Sequence, residues 1–560
     1  MKNLKLKFVL LSLSSAVLLS LGWLFPHCGG FALVGFVPLL WMDMLADRYG
    51  KRHFFWWYYL TFLLWNLATT WWVSIATVGG GIFAVVANSL FMSVVWALFR
   101  MVKRRMDGTL PYIFLVAAWI AWERFYFDAQ VSWPWLTLGN AFAYSHTCVQ
   151  WYEVLGTLGG SLWIWACNMA VFAVMRLLQE GRMRELNVKA RVALASSVVL
   201  VFAGPLTASW VRYATYTPAG CASADVVIPC VVLQPNFDPY DKFESLDQRS
   251  QNTVALSLMS SALASRDSLA PCLVLAPETF TSDVCLNEIS QGATVRSFKK
   301  AIEGRPNVNM LFGASSYEFF YQDEAPSFNA RRTAGGTWYE SHNSALMIDC
   351  GPRIEIYHKS RFVPGVESMP WPRVMRKVDD ALGGVMGRCV GQDRVSLLNF
   401  VTYSDACRMS TKSVPLGCAI CYESVYPEHF ASYVAAGARA MTVITNDSWW
   451  GDTHGYRQHL RYSCLRAIET RRDIARCANT GISAFINQRG DIVSNTAWME
   501  RTSLEGELHL NDAVTPFVKY GDVVGRLASF VFLLILFAFG VKVITQPRPS
   551  RRVSSRSKSR

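Results

Sequence analysis

The sequence predicts a bundle of membrane-crossing helices, then an α/β layered domain, then one more crossing helix. Three observations carry this. Hydrophobic segments of bilayer length recur through the first 212 residues. From about residue 225 the pattern changes to short apolar runs alternating with amphipathic segments, as in a layered α/β domain. Cations cluster on every second loop between the apolar segments.

The spans lie near residues 8–25, 30–47, 54–77, 82–102, 111–128, 154–178 and 191–212, with an eighth near 523–545. Lys2, Lys5 and Lys7 precede the first span, and Arg48, Lys51 and Arg52 follow the second. Lys103, Arg104 and Arg105 follow the fourth, and Arg182, Arg184 and Lys189 follow the sixth. No Lys or Arg occurs between Arg124 and Arg176. By the positive-inside rule the N-terminus is cytoplasmic and segment 213–522 lies outside the cytoplasm. The eighth span returns the basic tail, 546–560, to the cytoplasm, where it acts as an orientation signal. The first span has a basic start but no small-residue cleavage site after it, so it reads as an uncleaved helix.

The chain has 560 residues, 52% of them hydrophobic, and a mean hydropathy of +0.21. That is too apolar for an ordinary soluble enzyme. The net charge of +13 resides in the short inter-span clusters and the tail, which argues against nucleic acid as a partner. Of 14 Cys, 11 fall between Cys221 and Cys477, in the segment placed in an oxidising space, so disulfides are possible there. An odd number leaves at least one thiol free. Cys418 and Cys421 form a CxxC, but on a strand positions i and i+3 face opposite sides, which argues against redox chemistry.

Within the membrane part, 129–153 is aromatic, uncharged until Glu153, and broken by Pro134 and Gly139. It reads equally as a re-entrant segment or as an interfacial loop anchored by Trp133, Trp135 and Trp151. Strands are predicted at 226–234, 272–277, 309–316, 343–349, 353–359, 417–421, 440–446, 482–487 and 504–510. Helices are predicted at 245–265, 288–302, 427–436 and 456–476. The stretch 366–416 lacks periodicity and reads as containing a long surface loop.

HExxH, P-loop, GxGxxG and GxSxG patterns are absent, which removes several enzyme classes. His454 and His459, five residues apart, are poorly placed for a metal, and neither metal nor cofactor is expected. Three polar residues each end a strand-like apolar run: Glu278 in CLVLAPET, Lys359 in IEIYHKSRFVPG and Cys421 in GCAICYES. A thiol is only slightly ionised near neutral pH, so Cys421 as nucleophile needs a base and a cation. Glu278 can take its proton, and Lys359 can hold the negative charge of a tetrahedral intermediate.

In this order, LAPET, HKSRFVPGVE and CYESVYP resemble the nitrilase (carbon–nitrogen hydrolase) superfamily. With its spans, the chain resembles the membrane-embedded apolipoprotein N-acyltransferase family within it. LQPNFDPYDKF, HNSALMID, VITNDSWWG, RAIETRRDIARCANTGISAFI and TPFVKYGD extend the resemblance. It implies an α-β-β-α sandwich in which Glu278 is the general base, Lys359 the oxyanion lysine and Cys421 the acylated nucleophile. It further implies Glu367, Tyr422, Glu423 and Asn343 as supporting residues, with Trp449 and Trp450 either shaping an acyl-chain entrance or packing at the interface. Glu423 is expected to partner Lys359 or the backbone. The resemblance implies a bacterial inner-membrane enzyme with its catalytic domain in the periplasm. Its acyl donor would be a phospholipid, and its acceptor a diacylglyceryl-apolipoprotein. Small-amide hydrolysis by the same residues is the alternative. The chain departs from the family at Ala276, where many members carry Trp, and in a longer stretch between Lys359 and Cys421.

Overall fold

The computed structural model describes residues 2–51, 54–217, 227–381, 386–403 and 410–545. The expected tail 546–560 lies outside them. Among the described residues six helices are long and apolar enough to cross a membrane: Leu4–Leu24, Gly29–Arg48, Val78–Lys103, Tyr152–Gln179, Val188–Thr215 and Val523–Thr545. The third and fifth expected spans are helices too, Phe55–Thr70 and Leu110–Asp128, but fall outside that set. The third ends seven residues early because Trp71 and Trp72 turn there. The fully buried Trp72 ring packs against Trp135 and Trp450, at 5.0 and 4.9 Å between ring centres. Helix Tyr152–Gln179 is interrupted at Gly156, where φ is +63° and a side chain would strike the Phe517 ring.

The outer domain stacks two sheets between helices. The strands of the first sheet are β1 (Val227–Gln234), β2 (Cys272–Leu275), β3 (Thr281–Cys285), β4 (Val308–Phe320), β5 (Arg331–Arg332), β6 (Trp338–Ile348) and β7 (Ile354–His358). The second contains β8 (Leu398–Tyr403), β9 (Ser410–Ile420), β10 (Ala440–Thr445), β11 (Ile474–Ala478), β12 (Ala484–Ile486) and β13 (Ile492–Asn495). β14 (Thr502–His509) returns to pair antiparallel with β1. The orders are β14-β1-β2-β4-β6-β5, with β3 on β4 and β7 on β6, and β13-β12-β11-β10-β9-β8.

Both faces of the central strands are covered, which is why they read as unbroken apolar runs. Cys230, Val232, Leu273 and Leu275 point between the sheets, while Val231, Leu233, Cys272 and Val274 point to the outer helices. Those helices are Gln248–Leu263 and Ala293–Ala301 on one side, and Pro427–Ala435 and His454–Thr470 on the other. The result is the α-β-β-α sandwich.

All nine predicted strands are present. β3, β5, β8, β11 and β13 are additional, being short or half-polar. The helix predicted at 456–476 stops at Thr470, because Arg471 adopts a left-handed φ of 50° and the chain re-enters the sheet as β11. The 366–416 stretch holds helix Pro372–Ala381, β8 and the start of β9.

Helix His454–Thr470 joins the two parts of the chain. Leu460, Cys464 and Ala467 belong to the sandwich core, and Tyr462, Leu465 and Ile468 to the core of the membrane helices. Two of its charges, Arg466 and Glu469, are fully buried and paired. Arg466 Nε donates to Glu469 Oε2 at 2.6 Å and Nη2 donates to Thr157 Oγ1 at 2.7 Å. Thr157 donates in turn to Glu469 Oε1 at 2.6 Å. Just beyond the helix, Arg471 Nε meets Glu153 Oε2 at 2.6 Å.

Removing one partner of a buried ion pair costs about 3–5 kcal/mol, whereas removing both costs far less. Arg466→Leu is therefore expected to lower the thermal midpoint of the detergent-solubilised protein sharply. Arg466→Leu/Glu469→Leu should recover most of it, as read by differential scanning fluorimetry. Equal losses in the two variants would refute this.

Candidate active site

Glu278, Lys359 and Cys421 follow β2, β7 and β9 respectively and converge between the sheets. The Glu278 turn presses against β4 at Gly313, where an added Cβ would lie 2.6 Å from the Glu278 Cα. Only glycine allows that approach. The three side chains are buried, at 6%, 1% and 8% exposure.

Lys359 Nζ donates to Glu278 Oε1 at 3.0 Å and to Glu367 Oε1 at 2.8 Å. Asn343 Nδ2 donates to the same two oxygens, each at 2.8 Å. Two carboxylates, an ammonium and an amide thus close a ring. Glu278 Oε2 accepts the Asn446 N–H at 3.2 Å. Burial alone would depress the Lys359 pKa, but the Glu278 and Glu367 carboxylates more than offset this and hold it well above the ordinary value. The ammonium is therefore permanent at working pH.

Cys421 sits at a φ of +52° where β9 passes into a short 3₁₀ turn. A non-glycine residue held there costs about 1–3 kcal/mol and needs surrounding restraint. Ser424 Oγ donates to the Cys421 carbonyl at 2.7 Å, and His459 Nε2 donates to it at 3.0 Å. His459 Nδ1 lies 3.0 Å from Asp447 Oδ1, and Arg476 pairs with Asp447 Oδ2 at 2.5 Å. Burial pushes the Asp447 carboxyl up, but Arg476 and His459 outweigh it and hold it below the usual range.

Burial and the Glu278 carboxylate push the Cys421 thiol well above its ordinary pKa, against the lowering effect of Lys359 and Thr445. Burial therefore favours the neutral thiol over the thiolate. Cys421, Asp447 and His459 could each offer a metal one ligand atom within 4.8 Å, but both His459 nitrogens already hold partners. Cys418 and Cys421 are both free thiols.

Glu423 is fully buried and binds both strand ends. Its Oε2 accepts the Ile420 N–H at 2.8 Å, and its Oε1 accepts the Ser360 N–H at 2.7 Å and the Tyr357 hydroxyl at 2.6 Å. It therefore holds the backbone beside Lys359 and also pairs with His429 at 3.1 Å. Tyr422 donates to the Ser132 carbonyl at 3.0 Å and stacks on Trp133, seating the nucleophile turn on the 129–153 segment.

That segment forms 3₁₀ turns packed between the membrane helices and the sandwich. Trp135 donates to Gln458 Oε1 at 2.7 Å, and Tyr462 donates to the Trp135 carbonyl at 2.8 Å. The structure separates the tryptophan pair. Trp450 joins Trp72 and Trp135, while Trp449 packs on the exposed Tyr240.

Sequence reasoning missed Asp447, His459, Arg476, Asn446 and Lys242 as site neighbours. Lys242 is buried and donates to the Glu278 carbonyl and Thr279 Oγ1, each at 3.2 Å. Burial lowers its pKa to about 7, with partial compensation from Glu278. The quoted LQPNFDPYDKF and VITNDSWWG segments contained three of the five, but nothing in them indicates contact with Glu278 or Cys421.

The layered domain and its strand-end Glu–Lys–Cys cluster define the class: a carbon–nitrogen hydrolase model matches residues 247–515. A model of the apolipoprotein N-acyltransferase N-terminal domain matches residues 15–170. The chain is 27% identical over 526 residues to the apolipoprotein N-acyltransferase of Chlorobaculum tepidum, covering 92% of this chain and 93% of that one. With that of Geobacter metallireducens it is 24% identical, covering 92% of each. Saccharomyces cerevisiae Nit3, a branch 10 nitrilase-superfamily member, aligns with 58% of this chain and 97% of its own at 13% identity and a TM-score of 0.35. With both domain models matched in order and relatives similar nearly end to end, the chain belongs to the apolipoprotein N-acyltransferase family.

The geometry of Glu423 gives a pH-dependent expectation. Burial raises its pKa, but His429, the Ile420 N–H and the Tyr357 hydroxyl hold it below the ordinary 4.5. A lowered carboxyl stabilises the fold above the unfolded pKa and loses that contribution as pH falls through the folded value. Glu423→Gln should therefore lower the thermal midpoint at pH 7, with the gap to the parent narrowing below about pH 4.5. A gap that widens on acidification would contradict this.

Proposed function

We propose that the protein transfers a fatty acyl group from a membrane phospholipid to the N-terminal amine of a diacylglyceryl-cysteine polypeptide, through a thioester on Cys421. Glu278 takes the Cys421 proton as the sulfur attacks the phospholipid ester carbonyl, and Lys359 stabilises the resulting oxyanion. The glycerol oxygen leaves with the proton from Glu278, releasing a lysophospholipid. In the second half the acceptor amine attacks the thioester carbonyl and gives a proton to Glu278. The thiolate departs and is reprotonated. Asn343 and Glu367 keep Lys359 directed into the site. Glu423 and His459 hold the Cys421 turn.

The observation that carries this reading is the seating of the nucleophile turn. Tyr422 and Tyr426 hydrogen-bond to Ser132 in a segment packed into the membrane helices. A cysteine so placed meets lipid and is shielded from water, which a thioester needs. Hydrolysis of a small soluble amide has no use for such a floor and is not favoured.

The proposed topology puts the sandwich in the periplasm of a bacterial inner membrane, with both termini cytoplasmic. Support comes from the alternation of basic loops and from the disulfide at Cys350, a bond suited to an oxidising space. In intact spheroplasts a cysteine introduced at Glu507 should react with a membrane-impermeant maleimide. Labelling only after lysis would reverse the topology.

Intact mass measurement of the full chain with phospholipid should show an acyl adduct that hydroxylamine removes. Cys421→Ala should show none, and Glu278→Gln should form it about 10²–10⁴-fold more slowly. Triacylated product from Cys421→Ser at the parent's rate would refute the mechanism.

A further inference from the structure

A cleft of about 730 Å³ with several hydroxyl side chains in its lining opens beside Glu367, and beyond Asn343 and Glu367 its residues have no part in the chemistry above. Its floor is one face of the β4–β6 hairpin. Ser315 pairs with Asn343, Tyr317 with Ser341 and Phe319 with Tyr339, so these alternate residues share a face. The trough therefore begins at Asn343 and Glu367, in the Lys359 ring, and runs past two further cross-strand pairs. At about 3.4 Å per residue, the four steps from Ser315 to Phe319 span roughly 14 Å. Thr279 and Ser282 line one side, and Arg332 and Thr333 the far end.

We propose that this trough binds the polypeptide following the acylated cysteine of the acceptor. The inference rests on the acyl-transfer reading and assigns a subsite to it. The lining is rich in hydroxyls and carries a guanidinium, which suits a hydrated peptide rather than an acyl chain. Apolar side chains instead pack on the Tyr422 side, around Trp133, Trp135 and Trp450. An extended peptide advances about 3.3–3.6 Å per residue, so about four residues match the trough's length. Tyr317, Phe319 and Tyr339 offer ring faces and edges along the way, with centres 5.3 and 6.3 Å apart in sequence.

A second observation marks the head of the trough. Asn343 is 5% exposed, and its Nδ2 is committed to both carboxylates, yet its Oδ1 has no hydrogen-bond partner among the described residues. A buried acceptor left unpaired is destabilising. An N–H of the incoming acceptor at this position would satisfy it, and an ester oxygen of a phospholipid would not.

The test uses the full chain in detergent with phospholipid and two synthetic acceptors. One is diacylglyceryl-cysteine followed by five residues; the other is diacylglyceryl-cysteine amide. The extended acceptor should be preferred at least tenfold in kcat/KM, with the difference in KM. Ser341→Trp, which fills the trough, and Tyr317→Ala, which strips its floor, should both erase most of that preference. The thioester mass yield should remain within twofold of the parent in each. Equal use of both acceptors by the parent would overturn the proposal, as would variants that leave the preference intact or slow both acceptors equally. Failure of the acyl-transfer reading would appear separately, as a parent protein forming no thioester, and would overturn both.

Discussion

The site depends on one buried ammonium. Lys359 is almost fully enclosed, and an isolated charge in such a place costs several kcal/mol unless paired and hydrogen-bonded. Glu278 and Glu367 supply the charge, and Asn343 keeps the two carboxylates together by donating to both. Remove the lysine and two carboxylates face each other in a dry cavity. Remove either carboxylate and the ammonium loses half its compensation. The ring joins the segments just after β2 and β7 to the middle of β6 and to Glu367.

The turn itself is strained and held from several directions. Ser424 and His459 hold the Cys421 carbonyl, and Glu423 holds the backbone just before it. Because Glu423 also accepts the N–H of Ser360, the nucleophile and the lysine are positioned by the same carboxylate. Under the proposed mechanism, the raised thiol pKa makes the sulfur depend on Glu278 as its base, which would couple reactivity to the assembled site.

The membrane helices are a structural floor as well as an anchor. Helix His454–Thr470 gives one face to the sandwich core and another to the helical bundle, and the buried Arg466–Glu469–Thr157 cluster links the two. Such polar contacts are unforgiving of displacement, since a shifted partner leaves a buried charge exposed to nothing. The sandwich is therefore held on the bundle in one orientation, with Tyr422 against the 129–153 segment.

Hydrophobic length and period by themselves determined the apolar helices, the nine predicted strands and the change of architecture near residue 225, because burial imposes a local pattern on the chain. The positions of Glu278, Lys359 and Cys421 at strand ends were legible for the same reason. Local pattern said nothing of β11, because the helix-like run continues into its IARCA, whereas the structure breaks that run three residues earlier at the left-handed Arg471. Nor could it show that 129–153 lies between two cores, or that Trp449 and Trp450 part ways. Asn343 as the clamp of two carboxylates, and Asp447, Arg476 and His459 behind the nucleophile, are contacts between residues far apart in sequence. Only the tertiary structure decides those, since a buried polar group takes its role from the partners that folding brings to it.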